Sequence, residues 1–176
     1  MALTLKTVIQ SRIFWLGLFI RLACILFFTR DIHQDLFLPF LLSSASFSSI
    51  DPWSIFMAKG GMSSAFPYGP AMLLPLIAFS PFMAFESALL ESSTGLAFLW
   101  IFLPLFLTDL LLLITICEQY KVHAKRILVF YWLSPIVIYI TYIHGQLDII
   151  PITMTVISFF ALSKNRFSAA GIWLGL

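Results

Sequence analysis

Charge is what this chain has least of. Only 10% of its 176 residues are Asp, Glu, Lys or Arg, against roughly a quarter in an ordinary soluble domain. With 61% hydrophobic residues and a mean hydropathy of +1.02, no soluble fold of this size could hide its apolar surface from water. The net charge of +2 is too small for nucleic-acid binding, which needs a basic patch to neutralise phosphates. Cysteine is equally scarce: Cys24 and Cys117 lie in separate apolar runs, so neither a disulfide framework nor a C-x-x-C metal or redox site is indicated, and both read as small core residues. The H-E-x-x-H pair, a phosphate-cradling glycine loop and the G-x-S-x-G elbow are all missing. No repeated half is found of the kind that builds paired-repeat transporters.

What the chain has instead is long apolar runs rich in aromatic residues, with 19 Phe and 5 Trp. A span needs about 20 mostly apolar residues to cross a hydrocarbon layer about 30 Å thick. Runs of that kind predict an all-α fold, a polytopic transmembrane helix bundle with spans near 8–28, 96–117, 127–143 and 149–163, and a further one over 167–176 that the chain cuts short. No small-residue cleavage site follows the first run, which predicts a retained helix rather than a signal peptide. The window 68–85 contains Pro70, Pro75 and Pro81, each lacking a backbone donor, and is expected to be re-entrant or interfacial.

Charge sets the orientation. If 68–85 does not cross, then Lys6, Arg12, Lys121, Lys125, Arg126, Lys164 and Arg166 all fall on one side, which the positive-inside rule makes the cytoplasm, with the N-terminus. Asp31, Asp35, Asp51, Glu86, Glu91 and Asp148 then share the outer or luminal side. The loop 29–95 on that side is far longer than a plain connection. Leu36 to Leu42 and Ile50 to Met57 fit short interfacial helices within it, with Trp53 and Tyr68 as headgroup-level anchors. The absence of a transit-type segment favours a prokaryotic cytoplasmic membrane over the endoplasmic reticulum.

Two polar clusters stand out. Arg30-Asp31-Ile32-His33-Gln34-Asp35 follows the first span, and on a short helix Asp31 and Asp35 would share a face, one able to act as a general base and the other to orient it. As a plain solvated loop the same residues would need no function. His144-Gly145-Gln146-Leu147-Asp148 lies between two strongly apolar runs on the same outer side, where polar groups cost free energy unless solvated or paired. Its bland alternative is a turn in which Asp148 caps the next helix. Asp109 lies within the second span and needs a protein partner: Arg21, Thr108 and Thr115 are the candidates, and a structural bond between helices is the simpler reading.

The order of several short motifs resembles that of the integral-membrane glycosyltransferases of the C-type fold, which take sugars from polyprenyl-phosphate donors. Those motifs are the acidic 31–35 stretch, Asp51-Pro52-Trp53, Phe66-Pro67-Tyr68-Gly69-Pro70, Thr108-Asp109-Leu110-Leu111, Tyr131-Trp132-Leu133-Ser134-Pro135 and His144-Gly145-Gln146-Leu147-Asp148. The resemblance covers nearly the whole chain, with the last two motifs the most specific. It implies inverting transfer of a hexose, mannose for example, to a glycan, lipid or protein acceptor at the outer face. An outer-loop aspartate is the implied base, Asp35 before Asp31. Arg30, His33 and Lys59 become candidates for phosphate contact, and His144, Gln146 and Asp148 for the substrate pocket. Membrane lipid and the lipid-linked sugar are the expected partners, with no nucleic acid, no metal site and no separate cofactor. Relatives of this kind carry more spans, so the chain is expected to be an N-terminal fragment that need not be active alone.

Two other classes compete. A secondary transporter should show matching broken helices in two halves, which are not found. A non-catalytic assembly subunit would use the outer loop to bind another protein and would tolerate replacement of Asp35.

Overall fold

A computed structural model describes residues 2–28, 32–44, 51–79 and 99–175. The described residues are all-helical, with no strand among them. In chain order they form α1 (Ala2–Ile9), α2 (Arg12–Phe27), a π-helical turn Ile32–Phe37 running into α3 (Leu38–Ser44), α4 (Pro52–Ala58), α5 (Pro70–Ala78) and α6 (Leu99–Gln119). A 3₁₀ turn then leads to α7 (Ala124–Ile127), extended by π-helical Leu128–Trp132. The chain continues with α8 (Pro135–Ile138), extended by π-helical Tyr139–His144, then α9 (Ile149–Leu162) and α10 (Phe167–Gly175). They divide into two compact units, Met1–Phe27 with Leu105–Leu176, and Phe28–Pro104.

Among the described residues, by length and composition, one helix, Ile101–Gln119, is long and apolar enough to cross a membrane, or two if the bent pair Lys121–Trp132 and Pro135–His144 counts as one span. That is fewer than the apolar runs suggested: breaks interrupt 8–28 and 127–143, and α9, in the expected span 149–163, is only 14 residues long. The run expected to be continuous over 8–28 is interrupted at Gln10–Ser11. There the Ser11 hydroxyl accepts from the Ile13 amide (3.3 Å), and the Trp15 indole donates to the Ile9 carbonyl (2.7 Å). These side chains satisfy backbone groups that a continuous helix would have paired internally. The remaining 16-residue α2 is about 24 Å long at 1.5 Å per residue.

The expected span 127–143 bends by 50°. Pro135 offers no amide, Ser134 before it is extended (φ −60°, ψ 118°), and the Ser134 hydroxyl caps α8 by accepting from Val137 (3.4 Å). On either side the ladder widens to π-type bonds, as from the Leu133 amide to the Leu128 carbonyl (3.1 Å). Such widened turns occur mostly as single insertions in α-helices. In the expected window 68–85, α5 covers Pro70–Ala78, whereas 80–85 lies outside the described residues, as do 96–98 of the second expected span.

The first unit is built around Val8, Phe14, Leu113, Cys117, Ala124, Leu128 and Trp132, all buried. Trp132 stacks on Phe14 with ring centroids 5.5 Å apart and donates its indole N–H to the Phe14 carbonyl (2.9 Å). Gly17 makes this approach possible: a Cβ there would overlap the indole Cδ1 and Nε1. Large apolar side chains also point outward, Phe19 being 70% exposed, Phe130 78% and Phe159 63%. Helix α9 and helix α10 pack as a hairpin, joined by a turn with Asn165 at φ 58° and tied by a bond from the buried Ser158 hydroxyl to the Ala170 carbonyl (2.8 Å).

Candidate functional site

In the second unit, Asp35 lies on the π-helical turn that enters α3, and its carboxylate is exposed. Helix α3 follows as an apolar segment because Leu36, Phe37, Leu38, Phe40, Leu41 and Leu42 leave it nothing polar before Ser43. Phe40 and Leu41 are buried, and Phe40 faces an aromatic cluster. The Phe40 ring stacks on Phe66 (4.8 Å, 6°) and meets Trp53 (5.4 Å) and Phe56 (5.4 Å). Phe37 and Tyr68 complete it, Phe37 lying 5.9 Å from Phe66 and 5.8 Å from Tyr68.

Trp53 and Tyr68, expected as headgroup anchors, are half-buried in this cluster, and the Trp53 indole donates to the Phe66 carbonyl (3.1 Å). Protein contact thus engages both rings and the indole N–H. The motif residues at 51–53 and 66–68, distant in sequence, are thereby brought together. Asp51 caps α4: its carboxylate accepts from the Ser54 amide (3.2 Å) and hydroxyl (2.5 Å), and the hydroxyl bond first, then the amide bond, hold its pKa below the ordinary 3.8.

Of the remaining outer-loop candidates, Lys59 ends α4 and is exposed. His33 has its backbone on the π-helical turn. Arg30 and Asp31, like Glu86 and Glu91, lie outside the described residues.

In the first unit, π-helical Tyr139–His144 stops at Gly145, whose φ of 85° is a left-handed conformation that costs a side chain about 1–2 kcal/mol. The Gln146 amide returns to the Ile140 carbonyl (2.9 Å), the bond that closes such a helix end. His144 is exposed with its ring edge-on to Tyr139 (6.1 Å), Gln146 is half-buried and Asp148 is exposed. Asp148 stands at the N-cap of α9 through its backbone, its carbonyl accepting from Ile152 (3.1 Å), while its side chain makes no cap hydrogen bond. All three polar residues thus sit on one tight turn.

Tyr142, two residues before His144, belongs to a buried polar network. The Arg21 Nε donates to Asp109 Oδ2 at 2.7 Å, and both side chains are 0% exposed. Tyr131 donates to Asp109 Oδ1 (2.5 Å) and Tyr142 to Oδ2 (2.7 Å). Arg21 Nη1 donates to the carbonyls of Trp132 (2.5 Å) and Gly17 (3.2 Å). The Trp132 carbonyl precedes the helix break, so it lacks a helical partner and the guanidinium supplies one. The guanidinium also lies 3.5 Å from the centre of the Trp132 ring, a cation–π contact. Among the candidates for Asp109, Arg21 is the partner observed. Tyr131 and Tyr142 went unrecognised as donors because a tyrosine in an apolar run carries no mark of its hydroxyl's use.

Among the described residues, no group of three or more His, Cys, Asp or Glu comes together as a metal site. No family model, curated protein or solved structure shows a significant match to this chain.

Proposed function

We propose that the chain works as a multi-pass integral-membrane glycosyltransferase, moving a hexose such as mannose from a polyprenyl-phosphate donor to an acceptor at the outer or luminal face. The observation that carries this reading is the position of Asp35: an exposed carboxylate at the entry to an apolar helix, which packs on the aromatic cluster that joins the 51–53 and 66–68 motifs. An interfacial helix of this kind would bring a base to the depth at which a lipid-linked phosphate sits.

In the proposed reaction the Asp35 carboxylate takes the proton of an acceptor hydroxyl as that oxygen attacks the anomeric carbon. The bond from the anomeric carbon to the phosphate oxygen breaks on the opposite face, its electron pair leaving with the polyprenyl phosphate, so configuration inverts. Arg30, His33 and Lys59 are the candidates for stabilising the departing negative charge. His144, Gln146 and Asp148 offer donors and acceptors on one turn for sugar hydroxyls. Outward-facing Phe19, Phe130 and Phe159 suit contact with lipid.

The test is transfer from radiolabelled polyprenyl-phosphate hexoses in membranes carrying the protein. Replacing the base should lower transfer about 10²–10⁴-fold in Asp35→Asn, with membrane insertion unchanged. Loss in Asp31→Asn alone would move the base to Asp31. If no donor supports transfer, the enzyme reading falls and a non-catalytic assembly subunit takes its place.

A further inference from the structure

The basic end of the first unit holds a cavity that neither sugar transfer nor the outer-face residues explain. Its volume is about 220 Å³, and its walls come from the C-terminal ends of α6 and α9, the turn after α9, and α10 as far as Trp173. Lys164 and Arg166 line it from the turn between α9 and α10, Glu118 and Gln119 from the end of α6, and Ile157, Phe160 and Trp173 from further along α9 and α10. Polarity therefore falls in one direction on these walls. From Ile157 to the end of α9, and from the start of α10 to Trp173, is about 8–9 Å of helix. Lys164 and Arg166 are exposed, and neither makes an ion pair with a described residue.

A soluble phosphate compound would meet its match only at the cations. A phospholipid matches the whole gradient, with phosphate at the cations and the start of an acyl chain against Phe160, Ile157 and Trp173. The volume is below the range of about 300–1,000 Å³ typical of pockets that enclose a drug-sized ligand, which suits a headgroup whose chains continue outside. Glu118 adds a negative charge beside the two positive ones, an arrangement complementary to a phosphate joined to an ammonium. We propose that this cavity binds the headgroup of one phosphatidylethanolamine at the cytoplasmic face, its phosphate on Lys164 and Arg166 and its ammonium on Glu118. Basic pockets between membrane helices on this side are established lipid-headgroup sites in general. The proposal rests on the membrane placement above and is independent of sugar transfer.

The experiment reconstitutes the protein in nanodiscs of equal phosphatidylethanolamine and phosphatidylglycerol, then counts retained lipids by native mass spectrometry. One phosphatidylethanolamine should persist as detergent is added. In Lys164→Gln/Arg166→Gln its retention should weaken about thirtyfold, the effect of two surface cations. Lys121→Gln/Lys125→Gln, which removes the same charge elsewhere at that end, should leave retention unchanged. Glu118→Gln should abolish the preference over phosphatidylglycerol while keeping a lipid bound. Equal retention in wild type and the Lys164/Arg166 variant would overturn the site, as would displacement of the lipid by millimolar inorganic phosphate. A protein that does not enter nanodiscs at all would instead refute the membrane placement, and the lipid site with it.

Discussion

Replacing Asp109 by Leu should be among the most damaging single changes in the first unit. The substitution keeps an apolar side chain of similar length but removes the acceptor of three contacts, from Arg21 (2.7 Å), Tyr131 (2.5 Å) and Tyr142 (2.7 Å). Hydrogen bonds between helices within membrane proteins are worth about 0.6–1.7 kcal/mol each, so three amount to about 2–5 kcal/mol. Removing one member of a buried ion pair costs about 3–5 kcal/mol by a separate route, because the remaining charge stays buried without compensation. The two ranges overlap at about 3–5 kcal/mol, the loss expected for Asp109→Leu. Arg21→Met with Asp109→Leu removes both charges, leaving only the two tyrosine hydroxyls and the Trp132 carbonyl to find new partners. The double variant should therefore be more stable than the sum of the single effects by at least about 2 kcal/mol. Unfolding in mixed detergent and SDS, followed by tryptophan fluorescence, measures all four species of the cycle. Single effects that add within about 0.5 kcal/mol would show that Arg21 and Asp109 are not energetically coupled.

Three further outcomes follow from single features. Gly17→Ala drives a methyl into the Trp132 indole and should destabilise by about 1–3 kcal/mol in the same unfolding assay, with a smaller loss when Trp132→Phe is also present. Gly145→Ala forces a side chain into the left-handed region (φ 85°), at about 1–2 kcal/mol; if the turn positions His144 and Gln146 for substrate, KM in the transfer assay should rise more than kcat falls. Asp51 has a folded-state pKa below its ordinary 3.8, so its capping contribution is present above that value and is lost as pH falls through the lowered one. Amide exchange at Ser54 should accelerate in Asp51→Ala at neutral pH, and in the wild type only under strongly acidic conditions.

The helical class was readable from the apolar runs alone, because few residues interrupt them. So was the need of Asp109 for a partner, since a carboxylate in such a run is costly unless paired, and Arg21 was already a candidate. The breaks were not readable. Ser11 and Ser134 end helices through hydroxyl and backbone bonds that a hydropathy window averages away, and the π-helical turns beside Ser134 decide which aromatic residues face the network. Tyr131 and Tyr142 acquire their role from that register rather than from their spacing. The meeting of Phe40, Trp53 and Phe66 was invisible for a different reason, since stacking across an irregular loop has no period to detect. Asp35 and the His144–Asp148 turn were found from polarity against an apolar background, and the structure adds their exposure and the closure of the turn at Gly145.

The proposed function requires the acidic and basic loops to lie on opposite sides of a membrane. Single cysteines placed at Asp35, Asp148, Lys121 and Lys164, in a chain with Cys24 and Cys117 changed to Ala, can be probed with an impermeant maleimide on sealed vesicles of known orientation. Positions 35 and 148 should react from the outer side, and 121 and 164 only after permeabilisation. Labelling of both sets from the same side would contradict that placement.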